Sequence, residues 1–503
     1  MNSIEPFIIE FKTKKGNQYV YDVTTNCIYP SSEITIEILK NFKNMNKTEL
    51  FKLLIKKYPE SKIKSTYSKI VNWVKFDQAF FPVNELKIRP MLPETEFYKK
   101  LANCSHIILV PTNQCNLRCK YCAFSGEYEI NRVHNDETMN FRIAKKSIDY
   151  FISLLKSNKR TSVKKRGAIG FYGGEPLIKF SLIKQCMEYV KTIGCEDIIF
   201  WNITTNGTLL TKEKVKYFMK FENIKIGISL DGPESEHDRH RVFRNGGGTF
   251  KSIMKNLKMI NSLNPEFYKK HIHFQPLLPR LNNPYHLLEF LSSELLVSQN
   301  AISAQIGDIT LGAKTFYNKL TEDKKELFYY RYDRLFKKHI DMLIKGDVES
   351  REMQILLALT SNVLAQMNMR PFRLLKSLYF STGTCIPGTR KIYVAPSGTF
   401  HICERVTENH PIGDCFNGID YKKCNWIYEE YIKNVTKNCH GCPYIHFCSL
   451  CFSTADDGQS FNTGEYCNER KTLKAKLSDY YSILEENPDA FEMIGSSDNN
   501  KMD

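Results

Sequence analysis

The sequence predicts an α/β fold centred on a partial parallel barrel. In the middle of the chain, short apolar segments with strand character alternate with amphipathic helical stretches, and turn residues follow the segments. The strand candidates are His106 to Val110, Ala168 to Tyr172, Ile198 to Thr204, Ile224 to Leu230, His271 to Leu277 and Ala301 to Gly307. The helical stretches lie around Arg142 to Leu155, Ile178 to Ile193, Lys212 to Lys220, Phe250 to Ser262 and Pro284 to Leu296.

Six such units are fewer than the eight of a closed barrel, so we expect a partial (β/α)6 TIM-like barrel that stays open. In such barrels the loops after the carboxyl ends of the strands build the active site. The chain of 503 residues is too long for one compact core, and further domains are expected on both sides of the barrel.

The composition and the N-terminus indicate the cellular compartment of the protein. No apolar run approaches the length of a membrane span, and the N-terminus lacks the basic and apolar regions of a signal peptide, so we expect a cytoplasmic protein. Sixteen cysteines in that compartment argue for metal ligands rather than disulfides. The net charge of +16 comes mostly from lysines spread along the chain, and we assign it no function.

Residues 1–80 are predicted to form a small separate module. Strand-like segments at Phe7 to Lys12 and Tyr19 to Val23 read as a hairpin, and helical segments follow at Ile34 to Phe42, Lys47 to Tyr58 and Lys62 to Phe76. A hairpin with three helices is a winged-helix pattern. Two alternatives for the function of this module are a DNA-binding winged helix and a structural cap on the barrel. The first arginine in the chain is Arg89, so the module lacks the side chain that most often reads guanine in DNA.

Cys115, Cys119 and Cys122 form a C-x3-C-x2-C run directly after the first predicted barrel strand. Three thiolates can each bind one iron of a cubane cluster and leave the fourth iron open for a reactive ligand. A zinc knuckle or three buried thiols are the alternatives. With Tyr121 just before the last cysteine, the run resembles the cluster-binding loop of the radical S-adenosylmethionine (SAM) superfamily. The resemblance implies that the open iron binds SAM, which is reductively cleaved to a 5'-deoxyadenosyl radical.

Other residues fall on the same predicted edge of the sheet. They follow the second, third and fourth strands and are Gly173, Gly174, Glu175, Asn206, Ser229, Asp231 and, a little later, Arg241. Each alone is an ordinary βα-turn residue. Together they resemble the branch with anaerobic sulfatase-maturing enzymes and peptide maturases, which implies SAM binding at all seven positions. There the Gly-Gly-Glu element bonds to the SAM amino group, and the serine helps to hold SAM.

A second cysteine group lies in the C-terminal part of the chain. It consists of Cys385, Cys403, Cys439, Cys442, Cys448, Cys451 and Cys467. A zinc ribbon is the alternative, but zinc sites usually separate their pairs more widely. The order, with Gly398 before Cys403, resembles the SPASM extension of radical SAM peptide modifiers, which binds two auxiliary clusters. This chain departs by having two residues, rather than three, between Cys448 and Cys451.

The resemblance implies one auxiliary cluster held by Cys439, Cys442, Cys448 and Cys467. Cys385, Cys403 and Cys451 would then supply three ligands of the other cluster. No cysteine lies just upstream of Cys385, where relatives have the fourth ligand. Either Cys415 or Cys424 folds back to serve, or an iron stays open and binds a substrate thiolate.

The sequence as a whole therefore predicts a radical SAM/SPASM maturase of the thioether-forming (sactipeptide or ranthipeptide) type. It would use SAM and three [4Fe-4S] clusters, bind a precursor peptide through its leader at the N-terminal module, and take electrons from a flavodoxin or ferredoxin. The alternatives are a formylglycine-generating sulfatase maturase, another radical peptide modification such as epimerisation or C–C crosslinking, and a metal-containing nucleic-acid-binding regulator. No nucleic acid or membrane partner is expected, and no catalytic side chain is assigned.

The expected domain order follows from these assignments. It is the leader-recognition module (1–80), a linker (81–104), the radical SAM barrel (105–310), bridging helices (311–380), the SPASM domain (381–490) and a disordered tail (491–503).

Overall fold

The computed structural model describes residues 7–42, 44–80, 87–122, 124, 133–157, 166–302, 305–306, 320–360, 362–370, 378–379, 384–439, 442–463 and 466–492. Parts of the predicted sixth strand, of the linker and of the C-terminal tail lie outside these residues. None of the described helices is long and apolar enough to cross a bilayer.

The N-terminal module is a three-stranded antiparallel sheet packed on three helices. Its elements are β1 (Ile8–Lys12), β2 (Gln18–Asp22), β3 (Cys27–Pro30), α1 (Glu33–Asn41), α2 (Lys47–Leu54) and α3 (Glu60–Phe76). The prediction missed β3, a short strand of four residues that ends in a proline. Alternation along the strands buries both faces of the sheet. Val20 and Tyr29 pack into the module's own core, and Phe11 and Tyr21 pack into the main core of the protein.

The central sheet contains six parallel strands in the order expected for successive β/α units. They are β5 (His106–Leu109), β6 (Gly167–Phe171), β7 (Ile199–Thr205), β8 (Ile224–Ile228), β9 (Ile272–Phe274) and β11 (Ala301–Ile302). A two-residue strand β4 (Lys87–Ile88) and helix α4 (Glu94–Leu101) precede them, and two further short strands, β10 (Leu277–Leu278) and β12 (Gln305–Ile306), pair with each other. The predicted parallel barrel sheet is confirmed.

Helices connect the strands. They are α5 (Phe141–Ser157), α6 (Phe180–Thr192), α7 (Lys212–Phe218), α8 (Glu234–His237), α9 (Phe250–Leu263), α10 (Pro265–His271) and α11 (Pro284–Ser293). The helix-facing side chains of the strands, such as Ile107 and Leu109, join the main core, while Ile108 and Val110 form a separate cluster on the inner face. Sheet and helices thus leave the inner face of the barrel for the site.

The C-terminal segment extends this sheet. After α12 (Glu322–Lys345), α13 (Arg351–Thr360), α14 (Asn362–Asn368) and β13 (Leu378–Tyr379) come β14 (Ile392–Val394), β15 (Thr399–His401), β16 (Gly413–Asp414) and β17 (Gly418–Ile419). β14 pairs in parallel with β5, and the other three continue the sheet antiparallel. Helices α15 (Tyr421–Val435), α16 (Phe452–Ala455) and α17 (Leu473–Glu486) complete the chain. β14 and β15 form a hairpin around Pro396 to Gly398, and its membership of the barrel sheet was not predicted.

Candidate functional site

The loop that carries Cys115, Cys119 and Cys122 leaves the carboxyl end of β5. Backbone hydrogen bonds fasten it to the segment after α8: Arg118 N donates to Val242 O at 2.8 Å and Lys120 N donates to His240 O at 3.0 Å. An isolated bridge between Leu117 and Phe243 adds a third attachment. The loop is therefore held from a strand on one side and from residues 240–243 on the other.

Gly173 and Gly174 pack under this loop. A Cβ on Gly174 would lie 2.0 Å from Gln114 O, and one on Gly173 would lie 2.8 Å from Thr112 O. Gly174 N donates to Thr112 O at 3.0 Å, and Glu175 N donates to Gln114 O at 2.7 Å. The glycines therefore permit a close approach of the cysteine loop itself. Their expected contact with SAM stays a prediction.

The three thiols share one small apolar cluster with Leu117 and Tyr121. Burial raises the pKa of Cys115 and Cys119 to about 12 and that of Cys122 to about 11, so the free thiols are neutral and metal binding must release their protons. Leu117 N donates to Cys115 Sγ at 3.4 Å, and Phe124 N donates to Cys122 Sγ at 3.4 Å. Such N–H donors to sulfur are what stabilise cluster thiolates.

This donor set fits an iron–sulfur cluster. Within the described ranges, no three His, Cys, Asp or Glu side chains are grouped closely enough to hold a single metal ion. A cubane takes one thiolate per iron and spaces its ligands more widely than one ion does. Three soft thiols, two of them with backbone N–H donors, and no fourth cysteine in the loop match a cluster with one open iron.

Asp231, Arg241 and Tyr121 form a buried polar group beside Cys119. Arg241 Nε donates to Asp231 Oδ2 at 2.8 Å, and the Tyr121 hydroxyl donates to the same carboxylate oxygen. Leu277 N donates to Asp231 Oδ1 at 2.9 Å. Burial opposes ionisation of Asp231, but the Arg241 guanidinium outweighs it and holds the pKa of that carboxyl below its ordinary value. Asp231 is therefore an anion with four hydrogen-bonded or charged neighbours.

His237 supports this group and was not among the predicted residues. Its Nδ1 accepts a hydrogen bond from Asp231 N at 3.1 Å, and its Nε2 lies 3.0 Å from Thr249 Oγ1. Burial lowers the pKa of His237 to about 3, so the ring is neutral, as an accepting Nδ1 requires. The sequence signal that could have identified His237 is its position four residues before Arg241, a spacing of about one helical turn.

Glu175, Asn206 and Ser229 lie around the same edge. Glu175 is fully buried and accepts from Thr205 Oγ1 at 2.7 Å, Asn206 N at 2.8 Å and Leu177 N at 3.1 Å. Burial raises the pKa of its carboxyl. Asn206 Nδ2 lies 4.0 Å from Cys115 Sγ. Ser229 is half-buried, and its hydroxyl forms no hydrogen bond with another described residue, so it remains available to a ligand.

Beside the apolar cluster of Ile108 and Val110, part of the inner face of the barrel is polar. Gly227 makes room for the side chains of Gln275 and His273, since a Cβ there would lie 2.7 and 2.8 Å from them. Gly170 makes room for His106 in the same way, at 2.9 Å. Burial lowers the pKa of both histidines to about 4, so they are neutral. A substrate group in the barrel would meet neutral hydrogen-bonding side chains.

The seven C-terminal cysteines separate into two groups. Electrostatic interaction joins Cys439, Cys442, Cys448 and Cys467 in one group, and Cys385, Cys403 and Cys451 in the other. Cys448 and Cys451, which are close in sequence, connect the two groups. The assignment of these cysteines as ligands of two auxiliary clusters stays a prediction.

Cys415 and Cys424 lie elsewhere. The Cys415 thiol packs under Gly398, and a Cβ on Gly398 would lie 2.8 Å from Cys415 Sγ. The same thiol interacts with Ser147 of α5. Cys424 is fully buried in α15. Burial is the main cause that raises the pKa of its thiol, and the charge of Asp420 raises it further. Neither interacts with the Cys385 group among the described contacts.

The N-terminal module docks on the loop between Cys442 and Cys448. His446 Nε2 lies 2.8 Å from Val23 O, and the rings of Tyr21 and Phe447 are 5.9 Å apart. On its other side the module contacts α17, where Tyr19 donates to Glu485 Oε1 at 2.8 Å. The module is thus in direct contact with residues that lie between Cys442 and Cys448.

An open parallel sheet with a three-cysteine loop at its carboxyl edge defines a class of protein. Residues 109–284 match the family model of the radical SAM superfamily, and the chain therefore contains a radical SAM domain. This range includes the cysteine loop, the Gly173–Glu175 element and all the polar residues of the edge. Members of this superfamily use SAM and a [4Fe-4S] cluster.

The relatives are more specific. A cysteine-type anaerobic sulfatase-maturating enzyme of Clostridium novyi is 31% identical over 169 residues, which are 33% of this chain and 43% of that enzyme. The radical SAM cyclopropyl synthase TigE of Paramaledivibacter caminithermalis is 23% identical over 370 residues, 70% of this chain and 68% of TigE. Where identity reaches 29% to 36%, the chain spans half or less of the relative's own length.

Among solved structures, native anSMEcpe with bound AdoMet superimposes with a TM-score of 0.56 and 16% identity. The superposition covers 77% of this chain and 99% of that one, and it shows a shared fold.

Proposed function

We propose that this protein is a radical SAM enzyme that modifies a ribosomally synthesised precursor peptide. The observation that carries the proposal is the joint arrangement of three convergent thiols, an available Ser229 hydroxyl and a polar barrel interior at one edge of the sheet. Cys115, Cys119 and Cys122 would hold a [4Fe-4S] cluster, which with SAM supplies a 5'-deoxyadenosyl radical. The chain's own residues then position SAM and present the substrate to it.

The peptide substrate is inferred from two sides. The sulfatase-maturating relatives, whose names give a protein as substrate, support a protein or peptide substrate. In the module of residues 7–80, β3 pairs only on its β2 side among the described strands. Tyr29 of β3 packs on Trp73 of α3 at a ring distance of 4.8 Å. An edge strand of a sheet is the geometry of peptide recognition by strand addition, so we assign leader binding here.

We assign the chemistry to thioether formation. The Cys415 thiol lies under Gly398, and Cys424 is buried in α15, so we assign three protein thiolates to the cluster proposed at Cys385, Cys403 and Cys451 and propose that a peptide thiolate binds its fourth iron. The crosslink forms one C–S bond and breaks one C–H and one S–H bond. One hydrogen atom goes to the deoxyadenosyl radical, one proton goes to solvent or a base, and one electron goes to an iron–sulfur acceptor. Reduction for each SAM cleavage would come from a flavodoxin or ferredoxin.

The test is anaerobic incubation of the reconstituted protein with SAM, reductant and short cysteine-containing peptides encoded beside its gene. We expect 5'-deoxyadenosine and a peptide two hydrogens lighter with one free thiol fewer per crosslink. The matched control is Cys115/Cys119/Cys122→Ala, which should form neither product. Deoxyadenosine without any peptide mass change would leave radical initiation intact and refute the thioether assignment.

Sulfatase maturation is the second candidate, favoured by the 31% identity to the Clostridium novyi enzyme in the barrel region. A synthetic peptide with a sulfatase Cys motif separates the two. Conversion of its cysteine to formylglycine would favour the second candidate, and no conversion with crosslinking of the precursor peptide would favour the first.

A further inference from the structure

A charged pair is built against one thiol of the radical SAM loop. The charge of the Arg241 guanidinium acts on the Cys119 and Cys122 thiols, and the guanidinium lies over the ring of Tyr121, which shares one apolar cluster with these cysteines. The Arg241 side chain is 12% exposed, and that of its partner Asp231 is fully buried. Both charges therefore act through the protein interior, which screens them less than water does.

The pair is fixed in place. Asp231 Oδ2 receives Arg241 Nε and the Tyr121 hydroxyl, Asp231 Oδ1 receives Leu277 N, and Asp231 N donates to His237. The Arg241 group also lies 5.4 Å from the centre of the Tyr121 ring. This arrangement uses both side chains that the sequence assigned to SAM binding. Their contacts run to each other and to Tyr121, which lies between Cys119 and Cys122 in the loop.

Reduction adds one negative charge to a cluster. A cation beside a ligand sulfur stabilises the reduced form, and an anion next to that cation weakens the effect. We propose that Asp231 and Arg241 act as a positioned charge pair that sets the reduction potential of the cluster held by Cys115, Cys119 and Cys122. This inference rests on the proposed function for the presence of that cluster. Asp231 and Arg241 are positioning residues, since they act through Cys119.

The two members of the pair have opposite expected effects. Arg241→Gln removes the cation and should lower the midpoint potential. Asp231→Asn removes the anion, leaves the cation uncompensated and should raise it. We expect a change of about tenfold in the ratio of reduced to oxidised cluster at fixed applied potential, which is about 59 mV for one electron. A purely structural role would destabilise the site in the same sense for both variants.

The experiment is an anaerobic redox titration of the full-length holoprotein followed by electron paramagnetic resonance. The spectrum of the Cys115/Cys119/Cys122→Ala variant is subtracted to isolate this cluster. Arg239→Gln is the matched control, because it removes a cation from the same segment that is 45% exposed and bound to Glu236. It should leave the midpoint potential unchanged.

Opposite shifts in the two variants, with none in the control, support the proposal. Shifts of the same sign, or no shift in either variant, overturn it. If Arg241→Gln fails to retain iron, Asp231→Asn decides, and an unchanged or lowered potential in that variant overturns the proposal. Failure of the proposed function is a separate result, namely wild-type protein that carries the cluster but forms no deoxyadenosine from SAM.

Discussion

Gly174 offers a direct test of how the cysteine loop is built. A methyl group on this residue would lie 2.0 Å from Gln114 O, 2.5 Å from Gln114 C and 2.7 Å from Asn113 O. These are backbone atoms one and two residues before Cys115, so no side-chain rotation can relieve the contact. Gly174→Ala must therefore displace the loop from the end of β6.

Overpacking of this kind costs about 1–3 kcal/mol, and a backbone contact belongs to the upper part of that range. Because the loop must adopt its native form to bind iron, the cost weakens cluster retention by roughly 5- to 150-fold. The assay is the transfer of iron from anaerobically reconstituted protein to a competing ferrous chelator, measured against wild type.

Gly247→Ala is the control for this experiment. It places a methyl group 3.3 Å from its nearest neighbour, the end of the Asn245 side chain, which can move. We expect this variant to hold iron like wild type. If Gly174→Ala also held iron like wild type, the close packing of Gly174 on the cysteine loop would not control cluster binding.

Three further predictions follow from the geometry. Cys415→Ser and Cys424→Ser should keep the full iron content in elemental analysis, whereas iron loss in either would make that thiol a cluster ligand. His446→Ala should raise hydrogen exchange in residues 18–22, because it removes the contact to Val23, and unchanged exchange would mean that the contact does not hold the module. Burial lowers the pKa of His339 to about 4, so the folded chain binds fewer protons than the unfolded one between pH 6.5 and 4. The free energy of unfolding is therefore unaffected by His339 above pH 6.5, and protonation linked to this residue lowers it by up to about 3 kcal/mol toward pH 4. Chemical denaturation should show a flatter acid dependence in His339→Gln, and an unchanged slope would contradict the assignment.

The barrel could be predicted because its signals are local. The first four parallel strands have four to seven apolar-rich residues followed by turns that contain Gly, Asn or Asp, and these repeated units give the order of the sheet directly. The edge residues were identified for the same reason, since the carboxyl ends of parallel strands meet.

The remaining contacts are not local. Nothing in the residues around Ile392 says that β14 pairs with β5, almost 300 positions earlier, because any short apolar strand can extend an open edge. The environment of Asp231 was missed for a similar reason. A carboxylate in a βα turn looks the same whether it faces a cofactor or a neighbouring arginine, and only the fold brings Arg241 and Tyr121 to it.

The docking of the module of residues 7–80 on the Cys442–Cys448 loop has a consequence for assembly. His446 and Phe447 hold the module, and both lie between two of the thiols assigned to one cluster. A loop of that kind is ordered by its metal. If the module binds the leader as proposed, peptide capture and iron loading are linked by mass action, and a chain that has not received its iron would not hold the module in this position. Incomplete enzyme would thereby be kept from engaging its substrate without any dedicated checkpoint protein.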